Sequence, residues 1–297
     1  MAQVEFVCAR LCLLTHAAWK DGLPAPLSRA AVNEMIRLGA LTGLTLRKVA
    51  GVSDEQYDQA QALLARSTEI YDQVEAVNAQ GYEIMLPEDE DWPVNLYAMK
   101  QKMPQFLFVR GNCKLFHRRA VAVAGSRDIG EKTLALAKNL GRQIAETGYA
   151  LVCGGAWGVD TAVQSAHIEA GGGLILVPGY PIDRLLRQEY LLRALEKNQL
   201  LIVCDTWPQE CFSPQKALTR NHTIYALGDA AIVVASRRET GGSWNGACEC
   251  LKRGYTPVFA VKGEEADFEG NQALIELGAH ALDPALLLAA QLFTDGV

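Results

Sequence analysis

The stretch VAVAGSRDIGEKTLALAKNLGRQIAETGYALVC, residues 121–153, decides the fold class of this chain. An apolar run over 121–124 leads into a glycine-containing loop, then into apolar positions at helical spacing, and a second apolar run covers 149–153. This order predicts a strand, a helix and a second strand that lies parallel to the first.

The same alternation continues toward the C-terminus. Further apolar strands are predicted at 174–177, 200–204, 230–235 and 257–261, with helical stretches between them. Short, wholly apolar strands are typical of a parallel sheet that helices cover on both faces. We therefore predict an α/β fold with a doubly wound, mostly parallel, extended Rossmann-like sheet.

The first part of the chain has a different pattern. Apolar positions at helical spacing predict helices around 30–41 and 55–74, and Ser53 is a candidate N-cap for the second of these. We expect a helical N-terminal domain over residues 1–80 and a Rossmann-like domain over residues 81–297.

Composition narrows the possible functions. The chain has 297 residues, 49% of them hydrophobic, and a formal net charge of −6. A site for a polyanion must therefore be a local patch, because the protein has no overall basic field. The eight cysteines show no C-x-x-C pair, so we expect reduced core thiols and no metal or cofactor. Without a signal peptide or an apolar run long enough for a membrane span, the expected location is cytoplasmic.

Glycines accumulate where the predicted strands end. Parallel sheets bind ligands beyond the carboxyl ends of their strands, where loop and helix N–H groups can approach an anion closely. We call these loops the glycine rim, and define them by Gly125, Gly154, Gly155, Gly179, Gly241 and Gly242. Their convergence on one edge of the sheet predicts an anion site.

The loop after the first strand is close to a P-loop, G-x-x-x-x-G-K-[ST]. Gly125 and Gly130 have the required spacing, but Glu131 delays Lys132 by one position. One extra residue turns Lys132 by about 100° around the helix, away from a phosphate cradle. The informative residues are then Ser126 and Arg127, and the alternative is an ordinary turn with an exposed arginine.

Two later stretches add candidate ligands. LTRNHTIYALGD (218–229) carries Arg220, Asn221 and His222, with Lys216 just before it, and the alternative is a solvated helix start. An arginine fork suits phosphate. TGGSWNGACE (240–249) opens a helix after a strand, and its Trp244 either stacks on a base or packs the loop. In CGGAWGVD (153–160), Asp160 is expected to cap the next helix, while His167 is expected to be structural.

Taken in order, GSR, CGGAWGVD, PGYPID, TRNHTIYALGD, TGGSWNGA and VFAVKG resemble the motifs of the DprA/Smf DNA-processing family over residues 80–280. The resemblance implies single-stranded DNA binding by the basic rim of an extended Rossmann fold, a homodimer, and delivery of the strand to a RecA-type recombinase, without catalysis. Arg127 and Arg220 are then the expected phosphate contacts. The predicted phosphate- and nucleic-acid-binding set is Gly125, Ser126, Arg127, Gly154, Gly155, Lys216, Arg220, Asn221, His222, Gly241, Gly242, Ser243 and Trp244.

The sequence departs from the family pattern in ways typical of a divergent member. His222 replaces the second arginine of the family's R-N-R, so one cation becomes titratable. Lys262 stands where the family has proline. The sequence ends shortly after GNQALIELGAHALDP, so the winged-helix tail of many members is expected to be absent.

A second class of function remains open. The wider superfamily includes LOG-type phosphoribohydrolases with the signature P-G-G-x-G-T-x-x-E, and Glu249 in TGGSWNGACE arrives one position late for that pattern. A displaced carboxylate argues against the hydrolase, because general acid–base catalysis needs it within hydrogen-bond reach. The alternative is a nucleotide- or nucleic-acid-sensing LOG-like regulatory protein, for example in phage defence.

Overall fold

The computed structural model of this protein describes residues 2–15, 22–179, 185–208 and 214–284. The chain divides into two units, Met1–Leu86 and Pro87–Val297. The predicted boundary, between residues 80 and 81, lies slightly before this one.

The first unit is mainly helical. Its elements are α1 (Ala2–Leu14), α2 (Arg29–Arg37), the hairpin β1 (Leu41–Thr42) and β2 (Thr45–Leu46), α3 (Asp54–Leu64), α4 (Ser67–Ala79) and β3 (Glu83–Met85). The predicted N-cap is confirmed, since the Ser53 hydroxyl accepts from the Gln56 amide while the Gln56 side chain accepts from the Ser53 amide. Buried Arg66, between α3 and α4, donates to the Leu11 and Cys12 carbonyls and so completes the carboxyl end of α1.

The second unit alternates strands and helices. Its strands are β4 (Leu107–Gly111), β5 (Ala120–Ala124), β6 (Ala150–Cys153), β7 (Leu174–Leu176), β8 (Leu200–Cys204), β9 (Ala230–Val233), β10 (Val258–Val261) and β11 (His280–Leu282). Its α-helices are α5 (Glu131–Glu146), α6 (Val159–Glu169), α7 (Glu189–Glu196), α8 (Pro214–Leu227), α9 (Gly241–Arg253) and α10 (Glu269–Glu276). Short 3₁₀ segments cover Val94–Lys102, Cys113–His117 and Ala266–Phe268.

The eight strands of this unit form one sheet in the order β11-β10-β9-β5-β6-β7-β8-β4. All neighbouring pairs are parallel except β4 and β8, which are antiparallel. The predicted α/β class and all six predicted strands are confirmed, whereas β4 and β11 were not predicted. From β5 the chain winds outward through β6 to β8 and later, from β9, in the opposite direction. The gap between β5 and β9 is therefore the topological switch point.

Burial on both faces explains why the strands read as continuous apolar runs. In β5, β6 and β9, Val121, Leu151 and Ile232 have no exposed surface. Structural roles also account for buried polar groups: His167 on α6 has its two ring nitrogens 3.1 Å from the Gly141 carbonyl oxygen and 3.0 Å from that of Gly173. The expected structural role of this histidine is confirmed.

In the part of the chain that the structure describes, no helix combines the length and the apolar character that crossing a bilayer would require.

Candidate anion-binding site

A cavity of about 700 Å³ opens at the carboxyl ends of β5 and β9, which is the switch point of the sheet. Its walls come from the loop after β5, the middle of α8 and the start of α9. This is the position at which open α/β sheets hold their ligands, so the topology alone places the candidate site here.

The loop after β5 is fixed by its neighbours. The Ser126 amide donates to the Ala235 carbonyl (2.9 Å), and the Ser243 hydroxyl donates to the Gly125 carbonyl (2.7 Å). The Ser126 hydroxyl bonds within its own turn, to the Asp128 carbonyl (3.0 Å). The Ser243 hydroxyl therefore joins two loops and the Ser126 hydroxyl closes its own turn, while the exposed Arg127 lines the cavity.

The loop after β6 is organised by a buried carboxylate. One oxygen of Asp160 accepts from the Gly154 amide (3.1 Å) and from the Ala156 amide (3.3 Å). The expectation that Asp160 caps α6 is wrong: α6 begins at Val159 with Gly158 as N-cap, so the carboxylate faces back to the preceding loop. Burial raises the pKa of Asp160 to about 6, against the opposing effect of the Arg220 guanidinium and the two amide bonds.

Arg220 lies at the inner end of the cavity and is only 6% exposed. Its Nη1 donates to the Val177 carbonyl (3.0 Å), and its Nε is buried without a hydrogen-bond partner among the described residues. Two rim glycines make room for the guanidinium. A Cβ at Gly154 would overlap Nη1, and a Cβ at Gly179 would lie 2.7 Å from Nη2. These glycines thus serve the arginine, a use different from the predicted backbone cradle.

The start of α9 supplies the other wall. Thr240, Gly241, Gly242 and Ser243 line the cavity, and no side chain in the described part of the chain caps this helix end. Uncapped N–H groups at the positive end of a 13-residue helix are suited to receive an anion. The helix start is held in place by Asn221, whose Nδ2 donates to the Gly242 carbonyl (3.0 Å).

The start of α5 behaves differently, although the sequence resembles a P-loop there. The Asp267 carboxylate accepts from the Gly130 amide (3.0 Å) and from the Thr133 hydroxyl (2.7 Å). Lys132 pairs with Glu265 (3.2 Å) at the surface. Lys132 therefore lies outside the residues that line the cavity, and the protein's own carboxylate closes the amino end of α5.

The cavity brings together eight of the thirteen predicted residues, which are Gly125, Ser126, Arg127, Arg220, Asn221, Gly241, Gly242 and Ser243. Gly154 and Gly155 lie behind it, in the loop that Asp160 holds. Lys216 falls in α8, but its side chain lies outside the described residues.

His222 and Trp244 are not brought to the cavity. The His222 ring meets Tyr255 edge-on, with ring centroids 5.9 Å apart, and burial together with the Lys102 ammonium group lowers the pKa of His222. Both effects favour the uncharged form of His222. Trp244 is 8% exposed, which corresponds to the packing use of this side chain.

Several lining residues lie outside the predicted binding set. Asp160, Ser236, Arg237, Thr240 and Asn245 all line the cavity. Ser236 and Arg237 follow β9 and precede the TGG turn, so their position after a parallel strand could have predicted that they lie at the cavity. Arg237 pairs with Asp128 across the mouth of the cavity (2.7 Å), and both side chains are exposed.

Among the residues described, no three His, Cys, Asp or Glu side chains are grouped so that they could hold a metal ion. The seven cysteines within that part of the chain are free thiols, and five of them are buried. Burial raises the pKa of Cys12 to about 12, which keeps it protonated and unreactive.

The doubly wound sheet and its switch-point cavity define a Rossmann-like α/β protein. The family model described as DNA recombination-mediator protein A matches residues 83–291, and the chain belongs to that family.

Curated relatives agree with this assignment. The chain is 30% identical over 187 residues to the DNA processing protein DprA of Bacillus subtilis. This match covers 60% of this chain and 61% of the relative. Matches to the curated relatives span between 46% and 62% of those proteins' own lengths.

The fold is similar to that of DNA processing protein A from Streptococcus pneumoniae, with a TM-score of 0.67, 22% identity and 95% of each chain covered. It is also similar to DNA processing protein A from Helicobacter pylori, whose structure was described for its single-stranded DNA binding mode. That match has a TM-score of 0.57 and 23% identity, and it covers 67% of this chain and 91% of the other.

Proposed function

We propose that this chain is a non-catalytic single-stranded DNA-binding protein of DNA processing and recombination, and that it helps to load a RecA-type recombinase. The observation that carries the proposal is the shared cavity. The uncapped start of α9 and the buried guanidinium of Arg220 open onto the same space, beside the exposed Arg127. Family membership supports the choice of ligand, as does the single-stranded DNA binding mode described for the Helicobacter pylori protein.

The chemistry of the cavity suits a phosphodiester rather than a particular base. Backbone N–H groups and arginine forks position phosphates and carry no sequence information. The formal net charge of −6 makes such a concentrated local site necessary, because the protein as a whole repels a polyanion. The side chains that fix the loops, Ser243 and Asn221, are already bonded to backbone carbonyls, so the site is pre-organised.

The test is a fluorescence anisotropy titration of labelled single strands against wild type, Arg127→Glu and a matched control, Arg118→Glu. Arg118 is also exposed but lies just before β5, at the amino edge of the sheet. We expect Arg127→Glu to weaken binding by about tenfold or more and to reduce the log–log salt slope by about 0.7 per lost phosphate contact. Arg118→Glu should match wild type. Equal affinities and slopes for the two variants would contradict the assignment of the strand to this edge.

A nucleotide-sensing function is the second candidate, and the size of the cavity favours it. A volume of about 700 Å³ falls within the range of small-molecule sites. Competition distinguishes the two functions: a free mononucleotide that displaces the labelled strand at micromolar concentration supports the sensor, whereas displacement only by longer strands supports the DNA-binding protein.

The phosphoribohydrolase alternative lacks its carboxylate. Glu249, the residue nearest to the hydrolase signature, does not line the cavity and is paired with Arg253 and Lys102. The hydrogen bond from Arg253 lowers the pKa of Glu249 to about 2, so it is a poor proton donor at neutral pH. We therefore propose binding without turnover, and release of a free base from nucleoside monophosphates by the purified protein would overturn this.

Two parts of the proposal concern partners. A homodimer would join two cavities into one longer track for the strand, which would offset the acidic net charge. Sedimentation analysis of the full chain measures this directly, and a monomer that remains so when saturated with strand contradicts it. Recombinase loading is measured as a shorter nucleation lag of a RecA-type filament on a strand already bound by this protein.

A further inference from the structure

Trp157 differs from the other tryptophans in the described part of the chain. Trp92, Trp207 and Trp244 are between 3% and 9% exposed, whereas Trp157 is 68% exposed. It directly follows Ala156, a residue of the loop after β6 that lines the cavity. Leaving a large aromatic surface in water is unfavourable by about 25 cal/mol for each Å² that could have been buried, so an exposed tryptophan beside a candidate site suggests a ligand surface.

The backbone on both sides of Trp157 is fixed. The Ala156 carbonyl accepts from the Thr161 hydroxyl (2.6 Å) and the Thr161 amide (3.1 Å), and the Ala156 amide donates to Asp160 (3.3 Å). Gly158, on the other side, has φ of +84°, a left-handed conformation that an ordinary side chain rarely adopts. The loop therefore presents the indole at a defined place and loses little conformational entropy when a ligand binds.

That place is next to Arg127. The Val159 amide donates to the Ser126 carbonyl (3.1 Å), and a Cβ on Gly158 would lie only 2.7 Å from Arg127 Cα. The two loops are thus in direct backbone contact, with an exposed aromatic on one and an exposed cation on the other. A ligand that combines a planar face with a phosphate close to it matches this pair, and one nucleotide of an unpaired strand has both.

We propose that Trp157 is a stacking platform for a single unpaired nucleobase of the strand whose phosphate is held at the cavity. This inference rests on the proposed function and adds to it a preference for unpaired over paired bases. A duplex keeps its base faces stacked on one another, so it can reach the phosphate site but not the platform.

The experiment compares Trp157→Ala and Trp157→Phe with Tyr71→Ala, which removes an exposed aromatic from the first unit (43% exposed). Each is titrated with a labelled oligothymidylate and with an abasic phosphodiester of equal length. We expect Trp157→Ala to weaken oligothymidylate binding by about 5- to 150-fold, the range for loss of one stacked base, with the salt slope unchanged. Trp157→Phe should stay within about threefold of wild type, because it keeps a stacking face.

Binding of the abasic strand separates base stacking from phosphate binding. Wild type and Trp157→Ala should bind the abasic strand equally, since this strand has no base to stack on the indole. Indole emission should also fall when oligothymidylate binds to wild type, and this quenching should disappear in Trp157→Phe.

The inference and the proposed function fail in different ways. If the strand binds with the Arg127 dependence described above, but Trp157→Ala matches Tyr71→Ala, the platform is wrong and the proposed function stands. If Trp157→Ala changes the association state of the protein and leaves affinity for the base intact, the platform is also wrong. If no strand binds to wild type, the proposed function itself fails.

Discussion

Substituting Gly154 by alanine should expel Arg220 from its place. The backbone of Gly154 is not in the left-handed region, so an alanine meets no conformational penalty and only crowding is tested. Its Cβ would overlap Nη1 of Arg220 and lie 2.7 Å from Cζ, where ordinary contact begins at 3.4 Å. The guanidinium must therefore retreat by a few tenths of an ångström at Cζ and by more at Nη1.

This movement breaks the 3.0 Å hydrogen bond from Nη1 to the Val177 carbonyl. A hydrogen bond that involves a charged group contributes about 1.5–3 kcal/mol, and overpacking adds about 1–3 kcal/mol. We expect Gly154→Ala to lower the free energy of unfolding by about 3–5 kcal/mol. It should also weaken strand binding, as the separate variant Arg220→Met should.

Urea denaturation of the full chain measures the stability change. Gly130→Ala is the matched control, because a Cβ at Gly130 has its nearest neighbour 3.7 Å away, at a carboxylate oxygen of Asp267. The double variant Gly154→Ala with Arg220→Met isolates the cause, since without the guanidinium the alanine should cost less than about 1 kcal/mol. If the cost is the same in both backgrounds, or if Gly154→Ala is as stable as Gly130→Ala, the reasoning is refuted.

Three further outcomes are expected. Asp160→Asn should become more stable relative to wild type as the pH rises from about 4 to about 6. The reason is that Asp160 binds a proton more tightly in the folded state of wild type than in the unfolded state. A constant difference between the urea midpoints of the two proteins across that range would contradict the raised pKa. Asp267→Ala should cost about 1 kcal/mol by uncapping α5 and leave strand affinity at the cavity unchanged, which urea denaturation and anisotropy check together. Arg66→Met should cost about 1–3 kcal/mol because it leaves buried carbonyls of α1 unpaired, whereas the exposed Arg37→Met should cost less than about 0.5 kcal/mol in the same denaturation assay.

Most of the sheet could be predicted because its central strands are buried on both faces. β5, β6, β8 and β9 read as apolar runs, and no other local structure accounts for runs that short between helices. β4 and β11 are different, since Arg110 and His280 interrupt their apolar patterns. β11 also lies at the edge of the sheet and has only one buried residue, so its sequence carries a weaker signal.

The candidate site could be predicted only in part, for a physical reason. The turns that end β5 and precede α9 are encoded locally by glycines, and the structure places both of them at the cavity. The contacts of Asp160 and the packing of Trp244 depend on which way a side chain faces after the chain has folded. In the sequence, Trp157 and Trp244 both stand two positions after a pair of glycines, yet one is exposed and the other buried. Composition and spacing contain no information that separates them.

The Asp267 cap on α5 has a consequence for the order in which the protein can fold. The bond from the Gly130 amide to Asp267 joins positions 137 residues apart in the chain. The first strand–helix unit of the second domain is therefore synthesised long before the carboxylate that completes it. Until Asp267 arrives, the amino end of α5 is an open, positively polarised helix end that solvent anions can occupy. Because Asp267 lies between β10 and β11, we expect this contact to form only when that part of the chain docks on the sheet.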